Sequence, residues 1–205
     1  ALLLATQQRL LNTVHGILNE VRPSHVIAVF DGEQPSWRHS IYPDYKLGRT
    51  PMPEELQQGM EQLQATLWQC GVDSLLTAGD EADDLIATLS HQLTQRQQQV
   101  TLISTDKGFC QLLPSGLQIR DYFNRRWLDQ EFVLSQYGIK AEQLVDYWAL
   151  SGVSGSHIKG VAGIGAKSAT ALLQEFGSLE QILAQQGEEH RLVKRVQEQR
   201  SEEHT

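Results

Sequence analysis

The stretch Asp73-Ser74-Leu75-Leu76-Thr77-Ala78-Gly79-Asp80-Glu81-Ala82-Asp83-Asp84-Leu85 decides the fold. Its first six residues read as a short strand, and Gly79-Asp80 as a turn. From residue 81 to about 97, Leu85, Ile86, Leu89 and Leu93 recur at helical spacing. The strand thus leads directly into a helix whose first turn is crowded with carboxylates.

Outward from that stretch, strands and helices alternate. Upstream, a helix is predicted over 6–20, with Leu10, Val14, Ile17 and Leu18 on one face. The apolar run His25 to Phe30, bounded by Pro23 and Gly32, predicts a buried strand. Pro53-Glu54-Glu55 opens a further helix that runs to about Cys70 and stops at Gly71. Downstream come a buried strand over 100–104, a short helix over 107–113, and strands near 117–122 and 126–128. This order up to about residue 138 predicts an α/β fold, a mostly parallel sheet flanked by helices. From about Ile139 the pattern is helical only, with helices over 141–151, 166–176, 178–186 and 188–200 around a glycine-rich hairpin. Residues 32–53 show no periodicity and carry Pro35, Pro43, Pro51 and Pro53, so they read as a long functional loop.

The chain has 205 residues, 40% hydrophobic and 20% charged, which suits one α/β domain with a smaller appendage. No apolar run reaches membrane-spanning length, and Ala1–Ala5 is too short for a signal-peptide core, so a cytoplasmic protein without membrane contact is expected. Cys70 and Cys110 lack metal-type spacing and read as buried free thiols. A net charge of −8 weighs mildly against a nucleic-acid partner. The basic residues, however, fall in short groups: Arg38, Lys46 and Arg49; Arg120, Arg125 and Arg126; Lys159 and Lys167. Charge alone therefore decides nothing about the partner.

The carboxylates decide more. The first strand ends at Asp31, the second runs into Glu81, Asp83 and Asp84, and the third ends at Asp106. In a parallel sheet the carboxyl ends of strands share an edge, where ligands of open α/β folds bind. Asp31, Glu81, Asp83, Asp84 and Asp106 are therefore expected in one pocket. Carboxylates so close repel one another unless cations sit among them, and Mg²⁺, with Mn²⁺ as a substitute, prefers this kind of oxygen donor. Such a centre activates water and stabilises phosphoryl transfer. The plainer explanation is that Glu81 and Asp83 favour a helix N-terminus and that Asp106 caps the next helix. It accounts for each acid singly, but not for acids at three successive strand ends.

Gly160-Val161-Ala162-Gly163-Ile164-Gly165-Ala166-Lys167-Ser168 approaches a nucleotide-binding P-loop, but Ala166 separates the last glycine from Lys167 and a helix precedes it in place of a strand. It reads better as a hairpin between helices. Gly163, Ile164, Gly165, Ala166, Lys167 and Ser168 would meet a DNA phosphate through backbone amides at the start of the 166–176 helix. Contacts of that kind carry no base information. An ordinary helix–helix turn is the competing explanation.

Together these residues resemble the flap endonuclease and 5′-3′ exonuclease family, closest to bacterial exonuclease IX-like proteins. The resemblance rests on Val29-Phe30-Asp31, Trp37-Arg38-His39, Tyr42-Pro43-Asp44-Tyr45-Lys46-Leu47-Gly48-Arg49, Glu81-Ala82-Asp83-Asp84-Leu85, Ser104-Thr105-Asp106-Lys107-Gly108, Arg120-Asp121-Tyr122-Phe123 and the hairpin. It implies a PIN-like nuclease domain over 1–138 and an all-α helix–three-turn–helix DNA-binding domain over 139–205. It makes 32–53 the arch for single-stranded 5′ ends, with Lys46 and Arg49 contacting the phosphate near the scissile bond. A solvated basic loop is the competing explanation for those two residues. It also implies a K⁺ ion held by the main-chain carbonyls of Leu150, Ser151, Lys159, Val161 and Ile164. The implied partner is DNA with a 5′ flap or a single-strand/duplex junction, and the implied state a monomer.

Departures from the family pattern point to one metal centre instead of two. Gly108 stands where a second aspartate is usual, and Gly152-Val153-Ser154-Gly155-Ser156-His157 replaces a run with two more. The family's first strand, ending in aspartate, has no counterpart before the first helix, and no Asp precedes Asp31. The centre is therefore expected to be a ligand short. His39 and His157 read as hydrogen-bonding or surface residues. The leading expectation is a Mg²⁺-dependent structure-specific 5′ nuclease. A catalytically weakened junction-binding protein and a PIN-type ribonuclease remain as alternatives.

Overall fold

The structure, a computed structural model, describes residues 2–32, 34–48, 50–186 and 190–202; Arg49 lies outside the described residues. The chain divides into two compact units, residues 1–43 with 48–89, and residues 44–47 with 90–205.

In the first unit, α1 (Leu2–Val21) packs on α3 (Glu54–Gln58) and α4 (Met60–Gln69). The helix expected from residue 53 to 70 is two, because Gly59 adopts a non-helical cap conformation between them. β1 (Ile27–Phe30) and β2 (Asp73–Leu76) pair in parallel, with Ile27 opposite Asp73 and Phe30 opposite Leu76. The first strand was expected to be buried, yet Ile27 is exposed and Ala28, Val29 and Phe30 are only half-buried; its partner β2 exposes Leu75 and Leu76. Among the described residues the two strands form a two-stranded sheet, each with one hydrogen-bonded edge. The third strand differs in the same way, with Ile103 exposed. The irregular segment 32–53 contains one helix that its lack of periodicity hid, α2 (Trp37–Ile41). Five residues are too few to show a 3.6-residue repeat. Leu63 and Leu67 of α4 and Val72 form the buried apolar centre of this unit.

α5 (Ala82–Gln95) begins in the first unit and ends in the second. In the second unit β3 (Thr101–Ile103) pairs in parallel with β4 (Gln118–Asp121), and β4 pairs antiparallel with β5 (Arg126–Trp127). A 3-10 helix, Lys107–Ser115, follows β3. The expected parallel pairing is thus present, distributed over a two-stranded and a three-stranded sheet. α6 (Gln130–Tyr137) is capped by the Asp129 carboxylate, which accepts from the Phe132 amide, and stops at Gly138 in the left-handed region.

The all-helical remainder comprises α7 (Leu144–Ser151), α8 (Ala166–Phe176), α9 (Leu179–Leu183) and α10 (Arg191–Glu202). α8 packs on α7, α9 and α10 around Leu144, Leu150, Ala169, Leu172, Leu173, Ile182, Val193 and Val196, all buried. Cys110 is buried as expected, and burial, reinforced by Asp106, pushes its thiol up to about 11; Cys70 is only half-buried. A thiol held protonated in this way is chemically inert. No helix among the described residues is long and apolar enough to cross a membrane.

Candidate metal centre and nucleic-acid interface

The carboxyl ends of β1 and β2 meet the start of α5. Gly32 lies so close to the Thr77 carbonyl that any side chain there would collide with it, and its amide donates to the Thr77 hydroxyl at 3.0 Å. This contact locks the turn after β1 against the exit of β2. Gly79, with a φ of +83°, then reverses the chain into the helix. Asp31 Oδ1 accepts from the Ala82 amide at 2.7 Å, so the carboxylate at the end of one strand caps the helix that follows the other.

Glu81 is buried, and its Oε1 accepts from the Ser36 hydroxyl at 3.4 Å. The Trp37 amide donates to the Gly79 carbonyl at 3.1 Å, bringing α2 over the same turn. Arg38 of α2 then grips Asp84 through both terminal guanidinium nitrogens, the Nη2 bond measuring 2.7 Å, and approaches Glu81 at 3.8 Å. Its guanidinium also stacks on Trp37 at 4.6 Å. The Arg38 hydrogen bonds, opposed by burial, hold the Asp84 carboxyl below its ordinary range. His39 bonds Ser36 through Nδ1, the hydrogen-bonding role expected of it.

The first unit therefore brings Asp31, Glu81 and Asp84 to one helix start, with Asp83 in the same first turn. Asp106 belongs to the second unit, where its Oδ1 accepts from the Gly108 amide at 2.7 Å and caps the 3-10 helix. Among the described residues, no three His, Cys, Asp or Glu side chains converge closely enough to hold an ion. The donors are nonetheless chemically suited to a hard divalent cation: all are carboxylate oxygens, and a carboxylate with one lone pair engaged keeps others for a metal. Lys46 has a left-handed φ of +56° in the turn closed by the Leu47 amide on the Asp44 carbonyl, and its ammonium lies 5.1 Å from the Tyr45 ring.

In the second unit the glycine-rich hairpin is folded tightly on the end of α7. A side chain at Gly160 would collide with the Leu150 carbonyl and the Gly152 amide, and the Val161 amide donates to the Leu150 carbonyl at 2.9 Å. The Ile164 amide in turn donates to the Val161 carbonyl at 2.9 Å. These carbonyls retain a second lone pair each, which suits a monovalent cation held by main-chain oxygens. Gly165 is the N-cap of α8 and offers no capping side chain, so the amides of Ala166, Lys167 and Ser168 open the helix without a side-chain acceptor.

α10 supplies a brace that sequence did not reveal. Gln199 accepts from the Ala162 amide at 2.8 Å, and Arg195 packs against Gly163, donating to its carbonyl at 3.4 Å. The separation of more than thirty residues leaves no local signal for these contacts.

Residues 4–138 match the family described as 5′-3′ exonuclease, N-terminal resolvase-like domain, and residues 139–204 the 5′-3′ exonuclease, C-terminal SAM fold. The chain is 60% identical over 182 residues to the flap endonuclease Xni of Aeromonas salmonicida, covering 89% of this chain and 69% of that protein. It is 58% identical over 195 residues to the flap endonuclease Xni of Tolumonas auensis, covering 95% of this chain and 74% of that protein. Among solved structures, the T5 5′-exonuclease with bound divalent zinc superposes with a TM-score of 0.77 at 23% identity, covering 95% of this chain and 77% of the other. That likeness is one of fold.

Proposed function

The chain belongs to the 5′-3′ exonuclease family, and from that premise we propose that it is a structure-specific 5′ nuclease hydrolysing phosphodiesters at 5′ flaps or single-strand/duplex junctions of DNA. The observation that carries the reading is the placement of Asp31, Glu81 and Asp84 at one helix start, on the carboxyl ends of two parallel strands. Asp31, Glu81, Asp83, Asp84 and Asp106 are the proposed ligands of Mg²⁺, with Mn²⁺ as a substitute. Bound there, the divalent ion would lower the pKa of a water and neutralise charge on the phosphate.

The protein's own groups do the rest. Asp31 fixes the start of α5 and so sets where Glu81 and Asp84 point. Lys46 and Arg49 are the proposed cations for the phosphate at the scissile bond. The carbonyls of Leu150, Ser151, Lys159, Val161 and Ile164 are the proposed holders of K⁺. Gly163 to Ser168 are the proposed phosphate-binding segment, with a duplex phosphate received on backbone amides other than that of Ile164, which is engaged by the Val161 carbonyl. Such contacts fix position without reading sequence. The division into a nuclease domain over 1–138 and a DNA-binding domain over 139–205, a monomeric state and a cytoplasmic location belong to the same proposal.

Cleavage of a 5′-flap duplex with Mg²⁺ by the unaltered chain and by Asp83→Ala tests the centre. The reading expects a loss of at least about 10- to 100-fold, the cost of losing even a hydrogen-bonding partner of a metal ligand; equal activity in both would remove the proposed ligands. A second reading, junction binding with weakened catalysis, is favoured by Arg38, which engages Asp84 with both nitrogens. It expects tight, K⁺-sensitive flap binding without Mg²⁺-dependent cutting.

A further inference from the structure

The antiparallel hairpin of β4 and β5 presents chemistry that neither the carboxylates nor the glycine-rich hairpin uses. Its turn, Tyr122-Phe123-Asn124-Arg125, is held by a fully buried Asp121. That carboxylate accepts from the Asn124 amide at 3.1 Å, the Asn124 side chain at 2.8 Å and Arg126 Nε at 2.9 Å. Arg125 sits in the left-handed region at a φ of +53°, and its amide donates to the Tyr122 carbonyl at 3.3 Å. The turn is therefore built to a fixed shape, and it does not bury its aromatic residue: Phe123 is 72% exposed. Tyr122 buttresses that ring edge-on, with centroids 6.3 Å apart. Trp127 is 42% exposed and carries the Arg120 guanidinium at 5.3 Å from its ring.

We propose that this hairpin is a second DNA-contacting surface, on which an unpaired nucleotide of the substrate stacks its base against Phe123 while its phosphate meets Arg125. A rigid exposed aromatic costs solvation unless something covers it, and an apolar partner alone would not call for flanking cations. Arg126 is neutralised by Asp121, whereas the exposed Arg125 places positive charge in the same turn as the exposed Phe123 ring, in a chain whose net charge is −8. Aromatic faces interleaved with arginine are the pattern that binds single strands without sequence preference, by base stacking and phosphate attraction. An unpaired flap or gap nucleotide offers both a free base face and a phosphate; a base inside a duplex offers only the phosphate.

The inference rests on the flap-DNA reading and is tested separately from it, by fluorescence anisotropy with Ca²⁺ replacing Mg²⁺ to suppress cutting. A 5′-flap duplex and a blunt duplex of the same length are titrated with the unaltered chain, Phe123→Ala, Phe123→Trp and Arg125→Gln. Phe123→Ala is expected to weaken flap binding on the order of 5- to 100-fold, with blunt-duplex affinity unchanged, and Phe123→Trp to restore it. Arg125→Gln is expected to reduce the salt slope of flap binding by roughly 0.7, one single-strand phosphate. Flap affinity unchanged in Phe123→Ala, or lost equally on both duplexes, overturns the inference while leaving the flap reading intact; the first result would assign the ring to another occupant, such as a protein. No flap binding by the unaltered chain would overturn both.

Discussion

Arg38 and Asp84 lie 46 positions apart, and nothing in their spacing announces that they meet. The acids were legible because each follows a strand; the cation among them was legible only as part of a motif. Arg38 supplies the charge compensation that clustered carboxylates require. Replacing it with Gln removes the positive charge that bonds Asp84 and approaches Glu81. Thermal melts in EDTA at pH 7 should then show a loss of about 1 kcal/mol, modest because both side chains are partly exposed. Mn²⁺ should recover more stability in Arg38→Gln than in the unaltered chain; equal recovery would mean that Arg38 is not the counter-charge.

Asp121 makes a contrasting case, since its role is structural. Burial pushes its carboxyl up, but Asn124 and Arg126 together outweigh burial and leave it below its ordinary 3.8. A depressed folded value means that its contribution is present above the unfolded value, at neutral pH, and is lost as pH falls through the folded value below 3.8. Asp121→Ala should cost about 2–3 kcal/mol at pH 7 in urea titrations, because donors around it lose their acceptor. The difference should shrink as the pH falls towards 2, and a pH-independent difference would rule out the charged carboxylate as its source.

Elements were legible where a repeat or a stop signal was long enough to read. The 166–176 helix matches α8 end to end, and the strand around 73–76 leads into α5 as expected. α2 escaped because five residues show no period, and α6 because its apolar residues form no single face, although Asp129 and Gly138 mark its ends. The expected burial of β1 and β3 failed for a different reason: an apolar run states what a strand would bury, not how many neighbours it finds. The glycine-rich hairpin is the element most sensitive to one added carbon. At Gly160 a methyl group would strike the Leu150 carbonyl and the Gly152 amide, both backbone and neither able to rotate away. Gly160→Ala should lower stability by about 1–3 kcal/mol and weaken K⁺-dependent flap binding measured by anisotropy. Retained affinity with the same K⁺ response would detach the hairpin from DNA binding.

On the scale of the whole molecule, order of elements and order of motifs agree, which is why the α/β class and the family were legible before any coordinate. The net charge of −8 was the least informative feature, because a sum over the chain does not say where the basic groups around Arg38, Arg120 and Lys159 fall. What the linear order could not provide was the local partner of each acid: Asp31 caps α5, Asp84 bonds Arg38, and Asp106, in the second unit, caps the 3-10 helix that follows it. The most direct test of the central claim is single-turnover cleavage, by the unaltered chain, of a 5′-flap DNA duplex and of a single-stranded RNA of the same sequence, across a Mg²⁺ titration. The account predicts cutting of the DNA near the flap junction only when Mg²⁺ is present, leaving a 5′-phosphate, with the RNA cut far more slowly. Cutting that ignores Mg²⁺, or a preference for the RNA, would contradict it.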